Sequence, residues 1–285
     1  MDQVLSDIPS YLLSALSATL TQTLILLGPL IILTLLMNLI STQNALLGYK
    51  FFSRTGYLIF FGWLGTAVHE LGHAFFALIF AHKIKEIKLF TPKSANGTLG
   101  YVNHSYSKRS IYQRIGNFWI GIGPILFGTA LLFLINLILF RVNFATLNTA
   151  DYGTDALMTL PSLKLMAINT WAGMVAYFDV VFTGSGTAIW KILLMVYLSY
   201  SIGSSITLSK SDFKGAAGGF IFFVVILLLF NLGTLWIGDF TKTAFLQASR
   251  YLSAFYFLII LSMAINLVFV IILAILNLIK TNLFQ

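Results

Sequence analysis

An all-α, multi-spanning membrane protein with about six transmembrane helices and a small cytoplasmic-side β-hairpin is predicted by three observations. Of the 285 residues, 58% are hydrophobic and only 9% charged, too little charge to cover a soluble domain of this size. Mean hydropathy is +0.91. Apolar runs approaching or exceeding the roughly 20 residues needed to cross a bilayer recur along the chain, at 24–40, 57–81, 118–140, 187–206, 215–237 and 251–279.

Taken in order, the N-terminus carries Asp2 and Asp7 and no basic segment before its first apolar run, so no cleavable leader is expected and that run is retained. The second run holds His69-Glu70-Leu71-Gly72-His73. After it, Lys83, Lys85, Lys88, Lys93, Lys108, Arg109 and Arg114 face Glu86 alone, which makes this loop cytoplasmic by the positive-inside rule. Partial alternation at 84–90, a turn at 93–97 and a return strand at 98–103 predict the hairpin at the inner membrane surface. The run containing Gly121-Ile122-Gly123-Pro124 then heads outward, towards a loop with Asp151 and Asp155. Residues 162–182, interrupted by Lys164, Asn169 and Asp179, read as interfacial or re-entrant, which keeps the lysines of 210–214 on the cytoplasmic side. No separable soluble domain is evident. The chain reads as one domain, 1–285, with a core at about 57–235 and flanking helices at about 24–40 and 251–279.

The net charge of +8 sits mostly in short loops beside apolar runs, where it orients helices and meets anionic lipid. Nucleic acid is not an expected partner. With no cysteine in the chain, disulfides and thiolate metal sites are excluded, and any metal must use His, Asp or Glu.

Ionisable groups at membrane depth are functional sites by default. On a helix, residues four apart share a face, so His69 and His73 aim at one cation while Glu70 reaches a water bound to it. With the loop at 83–114 inside, His73 lies about 15 Å from the inner end of its helix at 1.5 Å per residue. A catalytic zinc takes three protein ligands and one open position. For the third ligand, His82 is half a revolution from His73, Glu86 sits among lysines, His104 lies beside the hairpin, and Asp151, Asp155 and Asp239 fall on the outer side. Asp212, at the cytoplasmic start of the helix that continues through Gly215-Ala216-Ala217-Gly218-Gly219, fits best; an N-cap role for Asp212 alone, or Asp179 as the ligand, stays open. Leu99, Gly100, Tyr101 and Val102 offer a strand edge that can hold an extended peptide by main-chain pairing, or merely cover the site.

These elements resemble the site-2 protease family of intramembrane zinc metalloproteases of the His-Glu-x-x-His type, in which such a helix is followed by a hairpin, a helix with a Gly-Pro pair, and a later helix beginning with a ligand Asp. Here they correspond to His69 to His73, the stretch 84–103, Gly123-Pro124 and Asp212, and cover roughly 57–235. The usual Leu-Asp-Gly context of the last ligand is replaced by Ser211-Asp212-Phe213-Lys214-Gly215. The resemblance implies one catalytic Zn2+, a transmembrane protein as substrate, unwound and cut in or near the bilayer, and a site nearer the cytoplasmic side of a prokaryotic cell membrane. A metzincin would need Gly and His where Phe76 and Ile79 stand, and membrane zincins with a distant Glu ligand find only Glu86. The competing reading is a non-catalytic membrane metal-binding or transport protein using the same His pair; neither reading fixes an oligomeric state.

Overall fold

The computed structural model describes residues 2–93, 97–142, 160–183, 187–235 and 240–283. Helices dominate them, in the order α1 (Asp2–Phe52), α2 (Arg54–Tyr57), a π turn (Leu58–Gly62), α3 (Trp63–Ile79), β1 (Lys83–Lys88), β2 (Tyr101–Ser105), α4 (Ile111–Phe140), α5 (Leu160–Phe178), a second π turn (Asp179–Thr183), α6 (Ile189–Gly203), α7 (Lys210–Thr234) and α8 (Phe240–Leu283). Four of these helices, over 8–52, 111–140, 210–234 and 252–282, are long and apolar enough to cross a membrane. The other two expected runs are helical but shorter as single α segments: α3 has 17 residues and α6 has 15. The stretch expected to be interfacial or re-entrant forms α5 and the π turn after it.

The first helix extends well beyond the apolar run at 24–40, and hydroxyls in that extension serve their own backbone. Thr19 and Thr23 each donate to the carbonyl four residues back, at 2.7 Å, so these polar residues sit in an apolar helix without an unpaired donor.

The chain divides into two compact units, each assembled from separate stretches. One comprises residues 1–31, 142–183 and 220–257. Its helices are tied by buried polar contacts: the Asn231 amide donates to the Thr19 hydroxyl and the Gln22 side-chain carbonyl, both at 2.9 Å, and the Tyr256 hydroxyl donates to the Leu26 carbonyl at 2.7 Å. Among apolar helices such groups must find one another, since water is not there to satisfy them.

The other unit comprises 32–141, 184–219 and 258–285. It uses the same device where the Asn44 amide donates to the Asn266 carbonyl at 3.0 Å. Its aromatic core centres on Tyr57 and Tyr200, whose hydroxyls lie 2.8 Å apart, with Phe61 edge-on to Tyr200. Small residues set the helix crossings. A Cβ on Gly72 would lie 2.7 Å from the Pro124 Cα and 2.8 Å from the Gly123 carbonyl oxygen, and one on Gly123 would lie 2.7 Å from the Gly72 carbonyl oxygen. Thus α3 and α4 meet backbone to backbone. One on Gly121 would lie 2.7 Å from the Asp212 carbonyl oxygen, so α4 meets the start of α7 just as closely.

The hairpin follows α3 as expected, with a shifted second strand. Antiparallel pairing sets Lys83 opposite Ser105, Ile84 opposite His104, Ile87 opposite Val102 and Lys88 opposite Tyr101, with an irregularity between Ile84 and Glu86. Regular pairing begins at Tyr101 rather than at 98, although the Thr91 amide still donates to the Leu99 carbonyl at 2.6 Å. Of the expected turn, residues 94–96 lie outside the described residues; Gly97 takes the left-handed φ of 73° that glycine tolerates.

Gly72→Ala is expected to destabilise the protein by about 2 kcal/mol, because the new methyl meets backbone that cannot rotate away. Gly28→Ala, with nothing within 4 Å of its Cβ position, is expected to be neutral. Thermal unfolding in detergent, run on both variants, checks the pair.

Candidate metal centre

Helix α3 sets His69 and His73 one turn apart on a single face, with ring centroids 4.9 Å apart. Each ring is oriented by a main-chain carbonyl. His69 Nδ1 lies 2.9 Å from the Ser205 carbonyl oxygen, and His73 Nδ1 lies 2.8 Å from the Ile120 carbonyl oxygen. A carbonyl only accepts, so both Nδ1 atoms carry the proton. In the neutral rings, both Nε2 atoms are therefore bare lone pairs.

The two carbonyls are free for local reasons. Ser205 lies just beyond the end of α6 at Gly203, where carbonyls run out of intrahelical partners. Ile120 sits inside α4, but the residue four positions on is Pro124, which has no N–H to donate. The Gly-Pro pair thus does two things in this unit. Gly123 admits α3, and Pro124 releases the carbonyl that holds His73.

Asp212 enters from the first turn of α7. Ser209 caps the helix: its hydroxyl accepts from the Asp212 amide at 3.1 Å, while the Ser209 amide donates to Asp212 Oδ2 at 2.9 Å. This reciprocal pair is a capping box with Asp in the position usually held by Glu. The same carboxylate faces the rings, with Oδ1 3.2 Å from His73 Nε2 and Oδ2 3.6 Å from His69 Nε2. Helix capping and approach to the histidines are one arrangement rather than alternatives.

Two bare nitrogen lone pairs set against an acceptor-only carboxylate repel unless a cation lies between them. A proton on one Nε2 makes the contact an ion pair with Asp212; a metal ion shared by the three groups is the other arrangement that satisfies it. The three ligand atoms lie within 4.8 Å of one another, close enough for one ion to reach all of them. As a donor set, two imidazoles and a carboxylate are of the kind that holds zinc.

Glu70 is buried, at 7% exposure, and lines a cavity of about 420 Å³ together with both histidines and Asp212. The strand closes against it: a Cβ on Gly100 would lie 2.8 Å from Glu70 Cγ and 2.9 Å from the Lys88 carbonyl oxygen. Gly100, Tyr101 and Val102, all expected at the strand edge, line the cavity. Leu99, expected with them, instead packs against the Tyr57, Leu58 and Tyr200 cluster.

The remaining acidic and imidazole groups separate cleanly. Asp179 accepts from the Thr183 hydroxyl at 2.7 Å, and among the described residues the grouping suited to a metal is His69, His73 and Asp212. Asp151, Asp155 and Asp239 lie outside the described residues. Glu86 pairs with Lys88 at 3.2 Å on the exposed strand face; the Tyr101 hydroxyl and Lys88 hold its carboxyl below the usual range. His82 is turned away, its Nε2 donating to the Gln113 carbonyl at 2.8 Å. His104 departs from expectation. Read as a surface residue beside the hairpin, it lines the cavity. The signal is present in the alternation: His104 stands two residues beyond Val102 on β2, on the same face, and the extra residue of the irregular register lies on β1.

Pro124→Ala returns an amide that competes with His73 for the Ile120 carbonyl. The variant is expected to keep its helical content and lose about tenfold in zinc affinity, the usual cost of removing a group that orients a ligand histidine; chelator competition measures it. The chain matches no family model, no curated protein and no solved structure, so the arrangement of these residues carries the functional reading.

Proposed function

We propose that the protein is a zinc-dependent intramembrane endopeptidase that cuts peptide bonds in or near transmembrane segments of other membrane proteins. The observation that carries this reading is the convergence of two Nδ1-anchored histidines on Asp212, with the buried Glu70 in the same cavity. His69, His73 and Asp212 would hold the ion. Bound zinc supplies Lewis acidity, which lowers the pKa of water and polarises a carbonyl.

The chain's own groups do the rest. Glu70, held beside Gly100, takes the proton of the attacking water and returns it to the departing amine, as a carboxylate within one turn of the ligands can. A transmembrane helix hides its carbonyls in its own hydrogen bonds, so a substrate must be extended before it is cut. The edge of β2 offers main-chain groups to an extended segment, and β1 occupies its other side. The seven basic residues of 83–114 support a hairpin, and hence a site, on the cytoplasmic side. The resemblance to site-2 proteases agrees with each assignment, and the composition supports a lipid-embedded chain.

Glu70→Gln is expected to keep one zinc per chain and to lose cleavage of a transmembrane reporter by at least a hundredfold. Normal cleavage by this variant, assayed in proteoliposomes, would defeat the mechanism. Zinc content should drop well below one per chain in His69→Ala and in Asp212→Ala while Asp179→Ala retains it; loss in Asp179→Ala alone would move the third ligand there. Uptake of zinc into vesicles without any hydrolysis would favour the transport reading.

A further inference from the structure

His104 stands on β2 with its Nδ1 3.0 Å from His82 Nδ1. With both rings neutral, the direction of that bond follows from the far end. His82 Nε2 must carry a proton, because its partner at 2.8 Å is the Gln113 carbonyl. In neutral His82 the Nδ1 is then an acceptor, so His104 Nδ1 is the donor. His104 Nε2 is consequently left as a bare acceptor, and no hydrogen bond among the described residues occupies it. Several features hold this chain of bonds in place. His82 is buried at 4% exposure, is stacked on Tyr106 with ring centroids 5.0 Å apart, and receives its carbonyl partner from the first turns of α4, whose Gln113 side chain also donates to the Ala81 carbonyl at 2.7 Å.

The groups on either side favour the neutral state. Burial, His82 and the nearby His73 all hold the His104 imidazole below its ordinary range. The ring lines the same cavity as Glu70, Gly100 and Asp212.

From this tautomer lock we infer that His104 is a substrate-positioning residue: its Nε2 accepts a hydrogen bond from a main-chain N–H of an extended peptide lying in the cavity beside β2. An extended segment presents such donors at alternate residues, and an acceptor further along the strand that starts beside Glu70 sets the register of the peptide in the cavity. His104 neither holds the metal nor moves the reacting proton. The inference rests on the endopeptidase reading.

Two measurements separate its failure from failure of that reading. In the zinc-loaded Glu70→Gln background, a fluorescent peptide copying an unwound transmembrane segment reports affinity without turnover. His104→Ala is expected to weaken its binding about fivefold or more, the worth of one lost neutral hydrogen bond. His104→Gln, whose side-chain carbonyl stands near the lost Nε2, should recover part of this. In the active enzyme, His104→Ala should raise KM by a similar factor with kcat and zinc content little changed, a split that loosening of the hairpin alone would not give. Equal peptide affinity in His104→Ala, or a fall in kcat with KM constant, overturns the inference and leaves the endopeptidase standing. Peptide binding that depends on His104 in a protein that never cleaves keeps the inference as peptide recognition and removes the endopeptidase. Absence of both binding and cleavage in the wild type overturns the two together.

Discussion

Two main-chain carbonyls inside an apolar environment, those of Ser205 and Ile120, determine what the histidine pair can do. Each accepts a hydrogen bond from the Nδ1–H of one ring, and from that single constraint follow the orientation of both rings and the turning of both Nε2 atoms towards Asp212. A buried acceptor without a donor is costly in a lipid environment. The carbonyl freed by Pro124 therefore requires His73 as much as His73 requires the carbonyl.

The surrounding architecture serves that convergence. Gly72 lies within the His-Glu-x-x-His stretch, yet its part is to let α4 reach α3; the motif thus contains a packing position between its chemical ones. Gly121 does the same for the first turn of α7, carrying Asp212 to the rings. Gly100 brings the strand against Glu70. Three glycines, on α3, α4 and the approach to β2, let separate segments close around one cavity without side chains in between.

Much of this could be read from the sequence, because the strongest signals are local. A spacing of four puts the two histidines on one helical face, alternation around a turn marks the hairpin, and a Gly-Ala run after Asp212 signals a close helix approach. Most of what escaped depends on non-local geometry. The role of Pro124 is visible only once Ile120, four residues earlier, is found facing His73. Asp212 posed a choice between cap and site that the Ser209 contacts dissolve. The lining of the cavity by His104 follows from plain alternation with Val102 along β2, a signal masked by reading the residue as lying beyond the end of the hairpin at 103. Leu99 was assigned to the strand edge by adjacency, but its side chain is claimed by the tyrosine cluster of the same unit.

The capping box at Ser209 and Asp212 has a consequence for how such a site can change over generations. Metal chemistry alone would accept histidine at position 212, since imidazole is as good a donor as carboxylate. That exchange would strand the Ser209 amide, which now relies on Oδ2, and the opening turn of α7 would unravel at the moment the new donor arrived. Glutamate would preserve the cap chemistry but carry its oxygens a methylene too far for the rings. The identity of this residue is thus constrained twice over, by the cap and by the reach to the two rings, and any drift in it disturbs at least one of them.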